Sequence, residues 1–289
     1  MGRAFEKWRD LCERVKEPDD LPTWEDAGPW TRDKLYFWKR YLDIATTPMA
    51  RKGAFPGGLV YVDLFGGAGV CTLKGSKERF PGSALIAATA ERPFRKIILC
   101  EKDAKLAEAC RARLARTDMG DRCEVLPGDC NELIGEVVKK IPQRALTLAF
   151  IDPKGLDAKF STVELLGNRA RADFVVLFAD AYDICRNDLM HYWDDPDSKL
   201  DQVLGPDSKW RDALEQESFP AGLARRKLFV DIYKTQLQTR LRYSVFREKT
   251  MMAGGRPLYR LVFASRHQLG GQFWDEALKE DSSGQRELF

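Results

Sequence analysis

The sequence predicts an α/β fold built on a doubly wound parallel sheet, and three observations carry that expectation. From Leu59 onward, apolar runs of strand length alternate with helical segments, the pattern of βαβ units. Four of the runs end in or just before a carboxylate, Asp63, Glu101, Asp129 or Asp152. The first, Val60-Tyr61-Val62-Asp63-Leu64-Phe65-Gly66-Gly67-Ala68-Gly69, passes directly into glycines, whose turn lets a ligand lie against main-chain N–H groups.

Residues 1–50 read as a helical, tryptophan-rich extension with Trp8, Trp24, Trp30 and Trp38. A helix is expected from about Thr31 to Ala45, with Leu35, Trp38 and Leu42 on one face. Arg32, Lys34, Lys39 and Arg40 fall on its other face, either solvated or turned to an acidic substrate. Strands are expected at Leu59–Leu64, Lys96–Glu101, Cys123–Leu126, Leu146–Ile151 and Ala172–Ala179, with helices at Asp103–Arg116, Asn131–Ile141 and Ser161–Arg169. The polar loop Thr72–Pro81 separates the glycines from Gly82-Ser83, which cap a helix over Ala84–Glu91. The stretch from Tyr182 to about Gly222 breaks the rhythm and reads as an insertion, followed by a helix from Leu223 to about Leu241. Tyr243–Thr250 and Pro257–Ser265 flank Ala253-Gly254-Gly255-Arg256 and read as an antiparallel hairpin. The expected organisation is a 1–50 extension, a sheet domain from 51–182 and 223–280, a 183–222 insertion and a 281–289 tail.

The chain's 289 residues suffice for a sizeable core, and its 44% hydrophobic and 31% charged composition is that of an ordinary water-soluble protein. No apolar run is long enough to span a bilayer and the N-terminus lacks a signal-peptide core, so a cytoplasmic protein with no membrane role is expected. A net charge of +3 does not mark a dedicated nucleic-acid binder; local clusters matter more. The seven cysteines, at 12, 71, 100, 110, 123, 130 and 185, form no C-x-x-C pair, and His191 and His267 lie far apart. That spacing points to reduced thiols and no structural metal.

In an open α/β sheet a ligand lies across the C-terminal strand ends at the switch point. Asp63, Phe65, Gly66, Gly67 and Gly69 should line its floor. Glu101 is placed to accept the hydroxyl protons of a ribose, and Lys102 to pack beside the base. Asp129 and the backbone N–H of Cys130 can address an adenine amino group and ring nitrogen. A dinucleotide needs a glycine turn opening directly into a helix, with its acid about 20 residues on. Here Glu101 lies further away, behind a polar loop, which suits an adenosyl ligand without phosphates. A nicotinamide dehydrogenase would rest on the glycine turn and Glu101 alone.

With Tyr61–Gly69, then Gly82-Ser83, then Phe150-Ile151-Asp152-Pro153-Lys154-Gly155 and Pro257-Leu258-Tyr259, the chain resembles the class I S-adenosylmethionine-dependent methyltransferases. More narrowly, residues 30–275 resemble the three-Cys-motif partner (TcmP) family. The resemblance implies a doubly wound Rossmann-like class I methyltransferase sheet ending in an antiparallel hairpin, and S-adenosyl-L-methionine as cofactor. It also implies a partner, a three-Cys-motif protein resembling radical-SAM enzymes, often in phage or mobile-element contexts.

Methyl transfer is an in-line displacement, so the protein must hold a nucleophile against the methyl group. Asp152, Pro153 and Lys154 are the candidate catalytic residues, with Asp152 bonding an amino nucleophile. Amino-methyltransferases of bases usually follow this acid with two prolines, or a proline and an aromatic. Lys154-Gly155 stands there instead, which leaves Phe160 and Tyr182 to supply a stacking ring. Lys154 reads as a catalytic cation, a phosphate anchor or a solvated residue, and Asp180 as a substrate-facing rim acid or a loop cap. No Pro-Cys dipeptide is present for carbon methylation, and Cys130 and Cys185 read as small hydrophobes. The first functional reading is a methyltransferase acting on a nucleic acid or nucleotide-like substrate. Lys74, Lys77, Arg79, the N-terminal helix and Arg225–Lys227 would contact phosphates. The second is a cofactor-binding accessory protein of a three-Cys-motif radical-SAM-like enzyme, with little activity of its own.

Overall fold

The computed structural model describes residues 3–51, 53–180, 190–218 and 221–285. The first elements are α1 (Arg3–Arg14), β1 (Trp24–Ala27), α2 (Pro29–Arg51), β2 (Leu59–Asp63), β3 (Val70–Leu73), β4 (Arg79–Pro81) and α3 (Ser83–Ala88). The βαβ rhythm continues through β5 (Lys96–Glu101), α4 (Ala104–Leu114), β6 (Cys123–Pro127), α5 (Cys130–Lys140), β7 (Leu146–Ile151), α6 (Phe160–Arg169) and β8 (Arg171–Phe178). Then come α7 (Met190–Trp193), α8 (Lys199–Leu204), α9 (Trp210–Gln216), α10 (Gly222–Leu241), β9 (Val245–Ala253), β10 (Arg256–Ser265) and α11 (Gln268–Ala277).

Seven strands form one sheet in the order β6-β5-β2-β7-β8-β10-β9. The first five are parallel, and β10 runs antiparallel to both β8 and β9. The chain winds outward from β2 to β5 and β6, then crosses back to β7 and β8, which makes the β2/β7 boundary the switch point. A terminal hairpin that inserts its second strand beside β8 completes the Rossmann-like class I methyltransferase sheet, the fold class the sequence predicts.

Strands β2 and β7 are buried along their whole length, as a sheet covered on both faces requires. Their alternating residues serve two cores. Leu59 and Tyr61 join residues of α1–α4 and α11, whereas Val60 and Val62 join residues of α5, α6 and α8–α10.

The N-terminal region departs from its expectation as a decorating extension. Helix α2 starts at Pro29, where a missing N–H is harmless, and its residues Leu35–Trp38, Tyr41 and Leu42 are all buried. Trp38 stacks on Phe150 of β7 at 4.8 Å between ring centroids, so α2 is a layer of the sheet domain. The loop expected over Thr72–Pro81 contains β3 and β4, an antiparallel hairpin that β1 extends in parallel. Its edge partner comes from some 45 residues earlier in the chain, beyond any local signal. Within 183–222, α8 and α9 bury Leu200, Leu204, Trp210 and Leu214 in the second core. Arg211 gathers that segment by donating to the carbonyls of Tyr192, Trp193 and Asp195 and pairing with Asp201 at 2.6 Å.

Trp38→Ala should cost about 3–5 kcal/mol, read as a lowered urea midpoint at constant slope. A loss under about 1 kcal/mol would contradict the layer role assigned to α2.

Candidate active site

Sheet register sets the level of each acid. Asp63 pairs across the sheet with Leu99 of β5 and Phe150 of β7. Glu101 and Asp152 each lie two residues further along, on the level that Phe65 reaches. Glu101 is level with Pro127, and Asp129 follows two residues later. Three carboxylates therefore stand on the rim of the parallel strands, and Asp63 stands one pleat below it.

That offset changes the part Asp63 plays. It is fully buried, accepting from the Phe65 N–H on Oδ1 and from the Tyr61 hydroxyl on Oδ2, both at 3.0 Å, with the Ser83 hydroxyl as a further partner. Trp38 Nε1 donates in turn to Tyr61 Oη at 3.1 Å. Asp63 thus braces the turn from beneath instead of lining a floor. Burial outweighs these hydrogen bonds and pushes its carboxyl from the usual 3.8 to about 6.

Above it, Gly66 N–H donates to the Cys100 carbonyl at 2.8 Å, and Gly67 N–H donates to Glu101 Oε2 at 2.8 Å. Gly67 has φ +60°, and a Cβ there would meet open space, so its Cα borders the open side of the turn. Gly66 is crowded instead, since a Cβ would come within 3.2 Å of the Leu99 Cβ. Gly69, at φ +80°, accepts from Gly82 N–H at 2.8 Å, which ties the turn to the head of α3.

Glu101 is half-buried, and its second oxygen accepts from Asp103 N–H at 2.8 Å. An ionised carboxylate has about four acceptor positions, so lone pairs remain for a ribose. Asp129 caps α5 by accepting from Asn131 N–H at 2.9 Å, and its other oxygen takes Lys102 Nζ at 3.1 Å. Lys102 is otherwise exposed and crosses from β5 to β6 at the place expected for a base. The Cys130 thiol is buried and pushed up to about 12, while its backbone N–H heads α5 without an intrahelical acceptor.

On the other side of the turn, Asp152 forms an ion pair with Lys34 of α2. Both side chains are mostly buried, and Lys34 Nζ lies 5.5 Å from the ring centre of Tyr259 on β10. The Tyr259 hydroxyl is buried and has no hydrogen-bond partner among the described residues. Pro153 is buried, and Lys154 points outward, reaching Asp26 Oδ2 at 3.2 Å over the Trp24 ring. Lys34 was expected on the polar face of its helix. Its spacing of four from Trp38 and seven from Tyr41 places it on the buried stripe, the signal that identifies it.

Several other expectations change. Phe160 is fully buried, edge-on to Tyr233, and cannot stack a substrate base. Asp180 is a buried partner of Arg226, bonded at 2.8 and 3.0 Å, and of Arg260 at 3.3 Å, so it is neither a rim acid nor a loop cap. Of the basic residues expected on phosphates, Lys34, Lys39, Arg40, Arg79 and Arg226 are buried. Tyr182, Cys185 and the side chain of His191 lie outside the described residues.

The strand order, a glycine turn open to the crevice and three rim carboxylates define the class: a Rossmann-like class I methyltransferase fold with a candidate nucleoside crevice at its switch point. No protein-family model matches the chain, and no curated protein matches it. Among solved structures, a Legionella pneumophila protein is similar at 12% identity and TM-score 0.48, over 84% of this chain and 88% of its own. An O-methyltransferase from Bacillus cereus in complex with SAH is similar at 11% identity and TM-score 0.44, over 92% and 91%. The O-methyltransferase TomG from Streptomyces achromogenes, in complex with SAM, is similar at 14% and 0.39, over 92% and 90%.

The raised Asp63 carboxyl has a thermodynamic signature. Between about pH 4 and 6 the folded protein binds the proton that the unfolded chain releases, so this group's contribution to stability falls as pH rises through that window. Asp63→Asn should thus gain stability relative to wild type, from near zero at pH 4 to on the order of 3 kcal/mol at pH 7.5. Chemical denaturation at both pH values tests this, and a difference independent of pH would refute the burial argument.

Proposed function

We propose that the protein is an S-adenosyl-L-methionine-dependent methyltransferase. The observation that carries this reading is the common level of Glu101 and Asp152 on either side of a glycine turn whose Gly67 opens on the crevice. The donor set fits the cofactor. Glu101 would take the ribose hydroxyls, Asp129 and the Cys130 N–H the adenine edge, and the Gly66–Gly69 backbone the amino acid portion. When bound, the cofactor supplies an electrophilic methyl group.

Asp152 would orient the acceptor by accepting its N–H or O–H, and Lys34 fixes the Asp152 rotamer. The unpartnered Tyr259 hydroxyl is a second polar group available to the acceptor. Kinship with the three-Cys-motif partner family, and with it a partner of that kind, belongs to the same proposal. It is supported by Ser83 bonding Asp63 at the head of α3 and by Tyr259 packing beside the Lys34–Asp152 pair. A nucleic acid or nucleotide-like acceptor is supported by the exposed Lys74, Lys102 and Lys154 near the crevice. An accessory role without catalysis has less support, because a mostly buried ion pair stands where this reading would seat the acceptor.

Incubation with methyl-labelled cofactor and total nucleic acid should transfer label. Asp152→Asn should lower transfer about 100-fold or more while leaving S-adenosylhomocysteine affinity within about threefold. Glu101→Gln should weaken that affinity about tenfold. Lys34→Met should behave as Asp152→Asn does, with activity recovered in Lys34→Arg. Failure of S-adenosylhomocysteine to bind wild type would overturn the proposal.

A further inference from the structure

One cavity lies away from the strand ends of the parallel sheet. It is a cleft of about 820 Å³ between α1, the β3–β4 hairpin and the C-terminal ends of α3 and α4. That volume falls within the range of about 300–1,000 Å³ usual for small-molecule sites.

Its lining carries five guanidinium groups, on Arg14, Arg79, Arg113, Arg116 and Arg122, against three carboxylates, on Glu17, Asp19 and Asp118. Asp19 is fully engaged. Arg113 Nε donates to its Oδ2 at 2.8 Å, Arg113 Nη2 to its Oδ1 at 2.8 Å, and Arg79 Nη2 to the same Oδ1 at 2.7 Å. These hydrogen bonds hold the Asp19 carboxyl far below the usual carboxylate range.

Two guanidinium groups therefore share one carboxylate, and both are deeply buried, Arg113 with 4% and Arg79 with 9% of its surface exposed. The carbonyls of Leu21, Pro22 and Ala68 take the remaining Arg113 donors, which satisfies hydrogen bonds without neutralising charge. Arg79 Nε has no partner among the described residues. A buried excess cation is costly unless an anion meets it.

The rim repeats the imbalance. Arg14, Arg116 and Arg122 are exposed, and of these Arg116 reaches Asp19 only at 3.7 Å while Arg122 makes a single long bond to the Phe94 carbonyl at 3.5 Å. Glu17 and Asp118 are exposed acids on the same rim. The floor is apolar, with Leu11, Val15, Leu85 and Met119 all buried.

We propose that this cavity is a second ligand site, for a phosphorylated small molecule of nucleotide size. The guanidinium forks of Arg14, Arg116 and Arg122 match phosphate oxygens pairwise, Arg79 Nε offers one more donor from within, and the apolar floor receives the organic body. A polymer backbone would instead follow an extended groove of cations, whereas these arginines gather round one cleft with an apolar floor.

Calorimetric titration with UTP, without divalent cations and both with and without saturating S-adenosylhomocysteine, tests the site independently of the methyltransferase reading. The expected result is binding that S-adenosylhomocysteine does not displace and that Arg116→Gln with Arg122→Gln weakens about tenfold or more at unchanged melting temperature. Should that pair disturb folding, Arg14→Gln on α1 should weaken UTP about threefold or more. No UTP binding at millimolar concentration, binding unaffected by the substitutions, or displacement by S-adenosylhomocysteine would overturn the proposal. So would tighter binding of a 5′-phosphorylated oligonucleotide than of UTP.

Discussion

The turn from Asp63 to Gly69 keeps its shape because its main-chain groups are tied from outside, one after another. Phe65 N–H is held by Asp63, Gly66 N–H by Cys100, Gly67 N–H by Glu101, the Ala68 carbonyl by Arg113 and the Gly69 carbonyl by Gly82. Apart from Asp63, the ties come from β5, α4 and the residue before α3, so the turn is set by neighbouring elements of the fold. A loop fixed in this way presents its Cα edge at Gly67 to a ligand without having to be ordered on binding. Holding Asp63 below the rim without a cationic partner has a price in stability at neutral pH, and the gain is a rigid floor.

Several charged groups are used inside the molecule. Lys34 with Asp152 and Arg226 with Asp180 each join a helix to the upper edge of the parallel sheet, while Arg79 and Arg113 with Asp19 join β4 and α4 to the segment after α1. Buried pairs of this kind contribute little net stability, since desolvation offsets the attraction, but they tolerate few alternative geometries. They fix where α2 and α10 cross the strand ends and where the segment around Asp19 meets β4 and α4. The same pairs withdraw many of the cations that, read along the sequence, resemble a phosphate-binding surface.

The parallel strands were legible because each is an apolar run of strand length bounded by turn residues, and the observed β5 and β7 have the expected limits. The hairpin was legible from Gly254-Gly255, whose positive φ of 56° and 74° suits a tight turn. Less legible were β1, β3 and β4, short strands whose pairing is long-range, and α2, whose buried length exceeds its apolar stripe because Lys34, Lys39 and Arg40 bury polar ends against partners. Glu101, Asp129 and Asp152 were found as strand-end acids. Lys34 was missed because a lysine read alone signals solvent, and only its partner 118 residues away reverses that meaning.

The sequence by itself determined the periodicity, the order of elements and the strand-end carboxylates, since these depend on local spacing and on glycine's conformational freedom. Tertiary structure alone decided which of those acids reach the rim. A two-residue difference in level leaves Glu101 and Asp152 at the rim and Asp63 one pleat below it. Whether a charged side chain meets solvent or a buried partner was likewise decided only there, because side chains far apart in sequence pair only after the backbone has brought them within reach.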